Sequence, residues 1–184
     1  MDVEGEDDPG LETINSSVTI SIRSLATFQP IQGSSATLER KGNRHEVSAH
    51  GAQLPNGHIV ALFYVAFNDP QNCTNPIPGM SQCSQPDSTN PATDASLLWA
   101  DGDEVDSKGK ANFSATIGLG TAGAPGEILF GGGLVDVNGS EVHYLIRDKG
   151  LPIAGRETEQ STTYAGGCDV ATCQDLQFAI FPVK

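Results

Sequence analysis

The sequence predicts an all-β fold, a single antiparallel β-sandwich of immunoglobulin-like or jelly-roll-like type carrying two local disulfides. Three observations lead there. Apolar residues recur at every second position along most of the chain, no stretch carries a helical apolar stripe, and turn formers separate the strand-like runs. The length of 184 residues suits one domain that buries roughly 70% of its unfolded surface, enough for a core without metal. Residues 1–12 are expected to be an acidic flexible tail and residues 13–184 the sandwich, because five of the first eight residues are Asp or Glu and such a cluster is best solvated.

The elements follow in order. SSVTISIRSL places Val18, Ile20 and Ile22 on one face of a half-buried strand, with Thr19, Ser21 and Arg23 on the other. ATLERKGNRHEVSAHG predicts two short strands joined at residues 41–43, and Pro55 and Asn56 a type I turn over residues 54–57. The next run, HIVALFYVAF, is apolar on both faces, as expected of a central strand covered by the opposing sheet and by the loop that follows it. That loop, residues 69–90, is rich in Pro, Asn and Ser and too long to stay unpinned in a compact domain. ASLLWADG and KANFSATIGLG then flank the acidic turn DGDEVDSKG, the second with Ala111, Phe113, Ala115, Ile117 and Leu119 inward and Asn112 outward. A short strand at residues 128–130 follows a glycine-rich stretch, and EVHYLIRD and DLQFAIF complete the set. Their expected core faces are Val142, Tyr144 and Ile146, then Leu176, Phe178 and Ile180.

Four cysteines permit three pairings. Local pairing, Cys73 with Cys83 and Cys168 with Cys173, is favoured because both spacings lie in turn-rich segments. Each bridge then staples one loop of an already adequate core. Zinc is disfavoured by the absence of CxxC-type spacings. Disulfides point to a secreted, extracellular or cell-surface protein, and NxS/T sequons at Asn15, Asn72, Asn112 and Asn138 agree as candidate glycosylation sites. Met1 precedes DVEGEDD, not a basic and apolar stretch, so a leader is expected to have been removed.

A net charge of −13 argues against nucleic acid and against anionic membrane surfaces, and no apolar run is long enough for membrane insertion. No GxSxG, HExxH, Walker or dinucleotide fingerprint is present, so no catalytic residue is assigned. The histidines His45, His50, His58 and His143 read best as exposed. His45 and His50, five apart, fall on opposite faces of a regular strand. Glu141, His143 and Arg147 form a polar stripe on the face opposite Tyr144, expected to be a solvated sheet surface and, in the sharper reading, a ligand platform or general base. Asp101, Asp103, Glu104 and Asp106 are the candidate calcium ligands, although they lack the EF-hand pattern. No other cofactor is expected.

LPNGHIVALFYVAFNDPQNC, ASLLWADG, ILFGGGLVDVNGSEVHYLIRDKG and GGCDVATCQDLQFAIF together resemble, in this order across residues 54–181, a group of secreted, mainly bacterial proteins with no known activity. The resemblance implies an exported domain whose two cysteine pairs belong to its framework, and it implies no ligand or catalytic residue. Members of that group tend to carry histidine where this chain has Lys149 and Phe181; a metal site built from those positions and the counterpart of His143 would have lost two ligands here. The expected function is non-enzymatic binding or surface assembly with a protein partner or through self-association. The alternatives are a self-assembling filament or surface-layer subunit that exchanges its N-terminal strand, and a secreted metal-dependent or hydrolytic enzyme.

Overall fold

The computed structural model describes residues 15–120, 127–168 and 173–183; the expected acidic tail, residues 1–12, lies outside them. In chain order the strands are β1 Ser16–Ile20, β2 Arg23–Ser24, β3 Ser35–Lys41, β4 Arg44–Gly51, β5 Ile59–Phe67, β6 Ala95–Glu104, β7 Ala111–Gly118, β8 Glu127–Phe130, β9 Glu141–Asp148 and β10 Gln174–Phe181, with one helical turn, α1, at Glu157–Thr162. They form two antiparallel sheets, a four-stranded one in the order β1-β3-β4-β7 and a six-stranded one in the order β2-β10-β9-β5-β6-β8. The expected sandwich is present.

The core between the sheets follows the predicted alternation. Leu38 and Val47 from the small sheet and Val60, Leu62, Tyr64, Val142, Tyr144 and Ile146 from the large one are buried in a single cluster. The hairpin β3–β4 turns at Gly42 and Asn43, where Gly42 takes φ +54°, a conformation glycine adopts without steric cost. The Pro55 turn sits one residue later than expected: His58 N–H donates to Pro55 O at 3.3 Å and Gly57 takes φ +72°. Asn56 and Gly57 are therefore central, with the positive φ of a type II turn.

Every residue of β5 is buried. The strand lies between β9 and β6, and its second face carries Ala61, Phe63, Val65 and Phe67 into a separate apolar cluster with Cys83 and Leu97. Two-sided apolarity thus has the expected cause, with one addition: the region of α1 covers that outer face as well as the disulfide loop. Tyr164 packs edge-on against Phe63 with ring centroids 5.0 Å apart, and Trp99 Nε1 donates to Ser161 O at 2.7 Å. The approach is so close that a Cβ on Gly102 would collide with the Ser161 backbone.

Three expected faces are corrected. Val18 is 40% exposed while Ile22 is 1% exposed, because β1 ends at Ile20 as an edge strand of the small sheet and the chain then crosses to pair β2 with β10. The first strand is therefore built into both sheets. Leu119, expected inward, is 41% exposed just beyond the end of β7. In β10 a bulge at Leu176 shifts the register, so that Gln177 faces Ile146 and Ala179 faces Tyr144. One extra residue reverses side-chain parity, and Leu176, Ala179 and Phe181 pack on the inter-sheet core. Phe178 and Ile180 then lie on the outer face, where Phe178 meets Phe28.

Candidate binding site

The outer face of the six-stranded sheet carries the arrangement with the most chemistry. Two loops lie over it, each fastened by a buried charge at one end of β9. At the start of the strand, Glu141 is fully buried and accepts from Gln82 N at 2.9 Å, Cys83 N at 3.0 Å, Ser81 Oγ at 2.5 Å and His143 Nε2 at 2.8 Å. Just past its end, Lys149 is also fully buried and donates from Nζ to the carbonyls of Thr163 at 2.5 Å, Tyr164 at 2.8 Å and Gly166 at 3.3 Å. A carboxylate satisfies the amides of one loop and an ammonium the carbonyls of the other. Such charge-assisted bonds are the stronger class, and the loops have few other ways to satisfy these backbone groups.

Burial works to raise the Glu141 carboxyl, yet the hydrogen bonds from His143, Ser81 and Gln82 outweigh it and its pKa falls below the usual value. Lys149 is lowered to about 8, first by burial and then by the neighbouring charge of Arg147. Asp87, fully buried, is the second pin of the disulfide loop. It accepts from Thr74 N at 2.9 Å, Asn75 N at 3.3 Å and Ser84 N at 2.9 Å, and these bonds outweigh burial to hold its pKa down.

Between the loops lies a groove of about 370 Å³, at the lower end of the range for small-molecule sites. Phe67, Leu97, Phe130, Leu145, Ile180 and Phe28 supply most of its walls, with Ser84, Gln85 and Ser88 at the disulfide-loop rim and the His143 ring against Phe67 at 5.1 Å between centroids. Glu141 fixes the imidazole: an ionised carboxylate only accepts, so Nε2 carries the proton. Nδ1 makes no hydrogen bond to a described residue.

Ser81 Oγ, His143 Nε2 and Glu141 Oε1 are mutually within bonding distance, but they do not form a nucleophilic triad. In a triad the acid orients the ring through one nitrogen and leaves the other to the nucleophile. Here the acid shares Nε2 with the serine and takes the serine's own hydrogen bond, which makes the group a clamp on the loop.

The sequence-predicted positions are distributed as follows. The stripe of Glu141, His143 and Arg147 is covered and not a solvated surface, because the two loops lie over it; the Arg147 guanidinium pairs with Asp175 at 2.8 Å and stacks 4.4 Å from the Tyr164 ring. His45 is likewise buried, bonded to Tyr64 Oη at 2.6 Å and Val137 O at 2.7 Å, and burial lowers its pKa to about 4. His50 lies on the opposite face of β4, against Asn112, and His58 pairs with Asp148 at 2.9 Å.

The acidic set Asp101, Asp103, Glu104 and Asp106 does not converge on an ion. Asp101 and Asp103 pair with Leu62 and Val60 on the inner face of β6 and overhang the free edge of β7, accepting from Ser114 N and Asn112 N at 2.8 Å each. Asp106 caps its turn through Lys108 N and Lys110 N, and Glu104 is exposed. Among the described residues no three or more His, Cys, Asp or Glu side chains form a metal cluster. Asn15, Asn72, Asn112 and Asn138 are all exposed. The sequence gives no sign of the roles of Ser81, Asp87 and Lys149: Asp87 and Lys149 bind backbone groups of irregular loops, and Ser81 meets Glu141 and His143 some 60 residues away.

Both local disulfides are present, with Cα–Cα separations of 5.1 Å for Cys73–Cys83 and 5.4 Å for Cys168–Cys173. Because Glu141 and Asp87 hold the first loop independently, opening Cys73–Cys83 is expected to cost about 2–3 kcal/mol while β-sheet circular dichroism persists. Urea unfolding with and without mild reductant measures this, and loss of the sheet signal on reduction alone would contradict it. No helix among the described residues is long and apolar enough to cross a membrane. No protein-family model, curated protein or solved structure matches the chain.

Proposed function

We propose that this is an exported domain that works by non-covalent binding through the outer-face groove and not by catalysis, in keeping with the secreted proteins its motifs resemble. The observation that carries the reading is the groove itself, an apolar cavity held open by two fastened loops. Paired cysteines and exposed sequons support the exported setting. A neutral fluorescent probe, phenylnaphthylamine, is expected to saturate at one site per chain and to lose that site in Leu145→Trp, whose indole fills the cavity. Absence of binding, or undiminished binding in the variant, would overturn the reading.

One observation favours a second reading, assembly through β1. The outer edge of β7 is capped by Asp101 and Asp103, whereas the outer edge of β1 has no pairing strand among the described residues and its sequence, SSVTI, contains neither charge nor proline. Proteins guard such edges when they must stay apart. Sedimentation is expected to show concentration-dependent association that Val18→Lys abolishes without loss of stability; a monomer at all concentrations sinks this reading.

A further inference from the structure

We propose that the groove takes a small, uncharged, largely apolar molecule bearing one hydroxyl group, and that Nδ1 of His143 accepts the hydroxyl hydrogen. This rests on the groove being a binding site and adds the class of ligand.

The volume of about 370 Å³ and the aromatic and aliphatic walls set the size and the apolar body. The head group follows from the histidine. Glu141 accepts from Nε2, so the neutral ring presents Nδ1 as a lone pair, which recognises a donor. A carboxylate offers no donor and would meet the buried Glu141 charge close behind the ring, on a chain of net charge −13. A cation would have to leave water for a groove whose neighbouring carboxylate is already satisfied by four donors. A hydroxyl meets neither objection. A ligand with no polar group would leave Nδ1 unbonded and dehydrated, which costs affinity.

Naphthol, naphthalene and naphthoate, three probes of similar shape, are titrated against the oxidised full chain at pH 8 and followed by NMR, in wild type, His143→Phe and Leu145→Trp. Naphthol is expected to bind about five- to tenfold more tightly than the other two in wild type, the worth of one neutral hydrogen bond. His143→Phe is expected to bring naphthol and naphthalene within about twofold of each other, and Leu145→Trp to bind neither. Equal affinity for naphthol and naphthalene in wild type, tightest binding of naphthoate, or a naphthol preference that survives His143→Phe would overturn the hydroxyl assignment while leaving the groove reading intact. Failure of all three probes to bind wild type would overturn both. The wild-type ranking decides the matter even if the His143 variant does not fold.

Discussion

Replacing Arg40 by methionine is expected to destabilise the domain by about 3–5 kcal/mol, since it takes the charge-assisted hydrogen bonds from Ser140 O and Pro182 O and leaves Val137 O to His45 alone. Arg40 is 1% exposed inside the sandwich. Its Nε donates to Val137 O at 3.1 Å, and its Nη2 to Ser140 O at 3.2 Å and Pro182 O at 3.1 Å. Burial lowers its pKa, but guanidinium stays charged in proteins. Exchanging a whole buried ion pair for apolar residues can be neutral or stabilising. Arg40 differs because its acceptors are main-chain groups that remain when it is removed. It also joins β3 of the small sheet to the segment before β9 and to the chain just after β10, so its loss unlatches one end of the sandwich. Urea unfolding of Arg40→Met measures the cost, and a change under about 1 kcal/mol would show that water or backbone shifts satisfy those carbonyls.

Glu141→Ala is expected to cost about 3–4 kcal/mol, by leaving the Gln82 amide without an acceptor and the Cys83 amide and Ser81 hydroxyl donating only to each other's residue. The loss should be local as well as global. Hydrogen exchange at Gln82 and Cys83 should quicken well beyond that of β5, and probe binding should fall with the loosened wall. The wild-type contribution depends on pH in a known direction. The folded-state carboxyl lies below its ordinary value, so the stabilisation is present above the unfolded pKa of about 4.3 and is lost as pH falls through the folded pKa. The difference in urea midpoint between wild type and Glu141→Ala should therefore shrink below about pH 4. A difference that stays constant down to full protonation would contradict the clamp.

What the sequence revealed follows a physical line. Period-two patterning identified the strands, the apolar run of β5 announced a strand covered twice, and cysteine spacing located the two bridged loops. Each of these is a local property of the chain. Residues whose environments differ from expectation owe them to distant partners. The sequence places Glu141 on a solvated stripe and gives no sign that Lys149 or Arg40 is buried, yet each packs against backbone groups, from loops or chain ends with no periodic signature. His45 looks exposed in the sequence because its partners, Tyr64 and Val137, lie 19 and 92 residues away. Beyond Leu176 the inner face of β10 lies one position from the sequence expectation, because a single bulge there leaves no mark in composition. Asp101 and Asp103 resembled ion ligands, since a carboxylate suited to calcium is equally suited to the free amides of a neighbouring strand edge.

The central claim is that the fastened loops on the outer face enclose a binding groove, and methyl NMR during a naphthol titration tests it most directly. Saturable shifts are predicted at Val65, Leu97, Leu145 and Ile180, which line the groove, while Val60, Leu62 and Val142 in the inter-sheet core stay unmoved. Shifts spread through that core, or no saturable shifts at the groove methyls, would contradict the account.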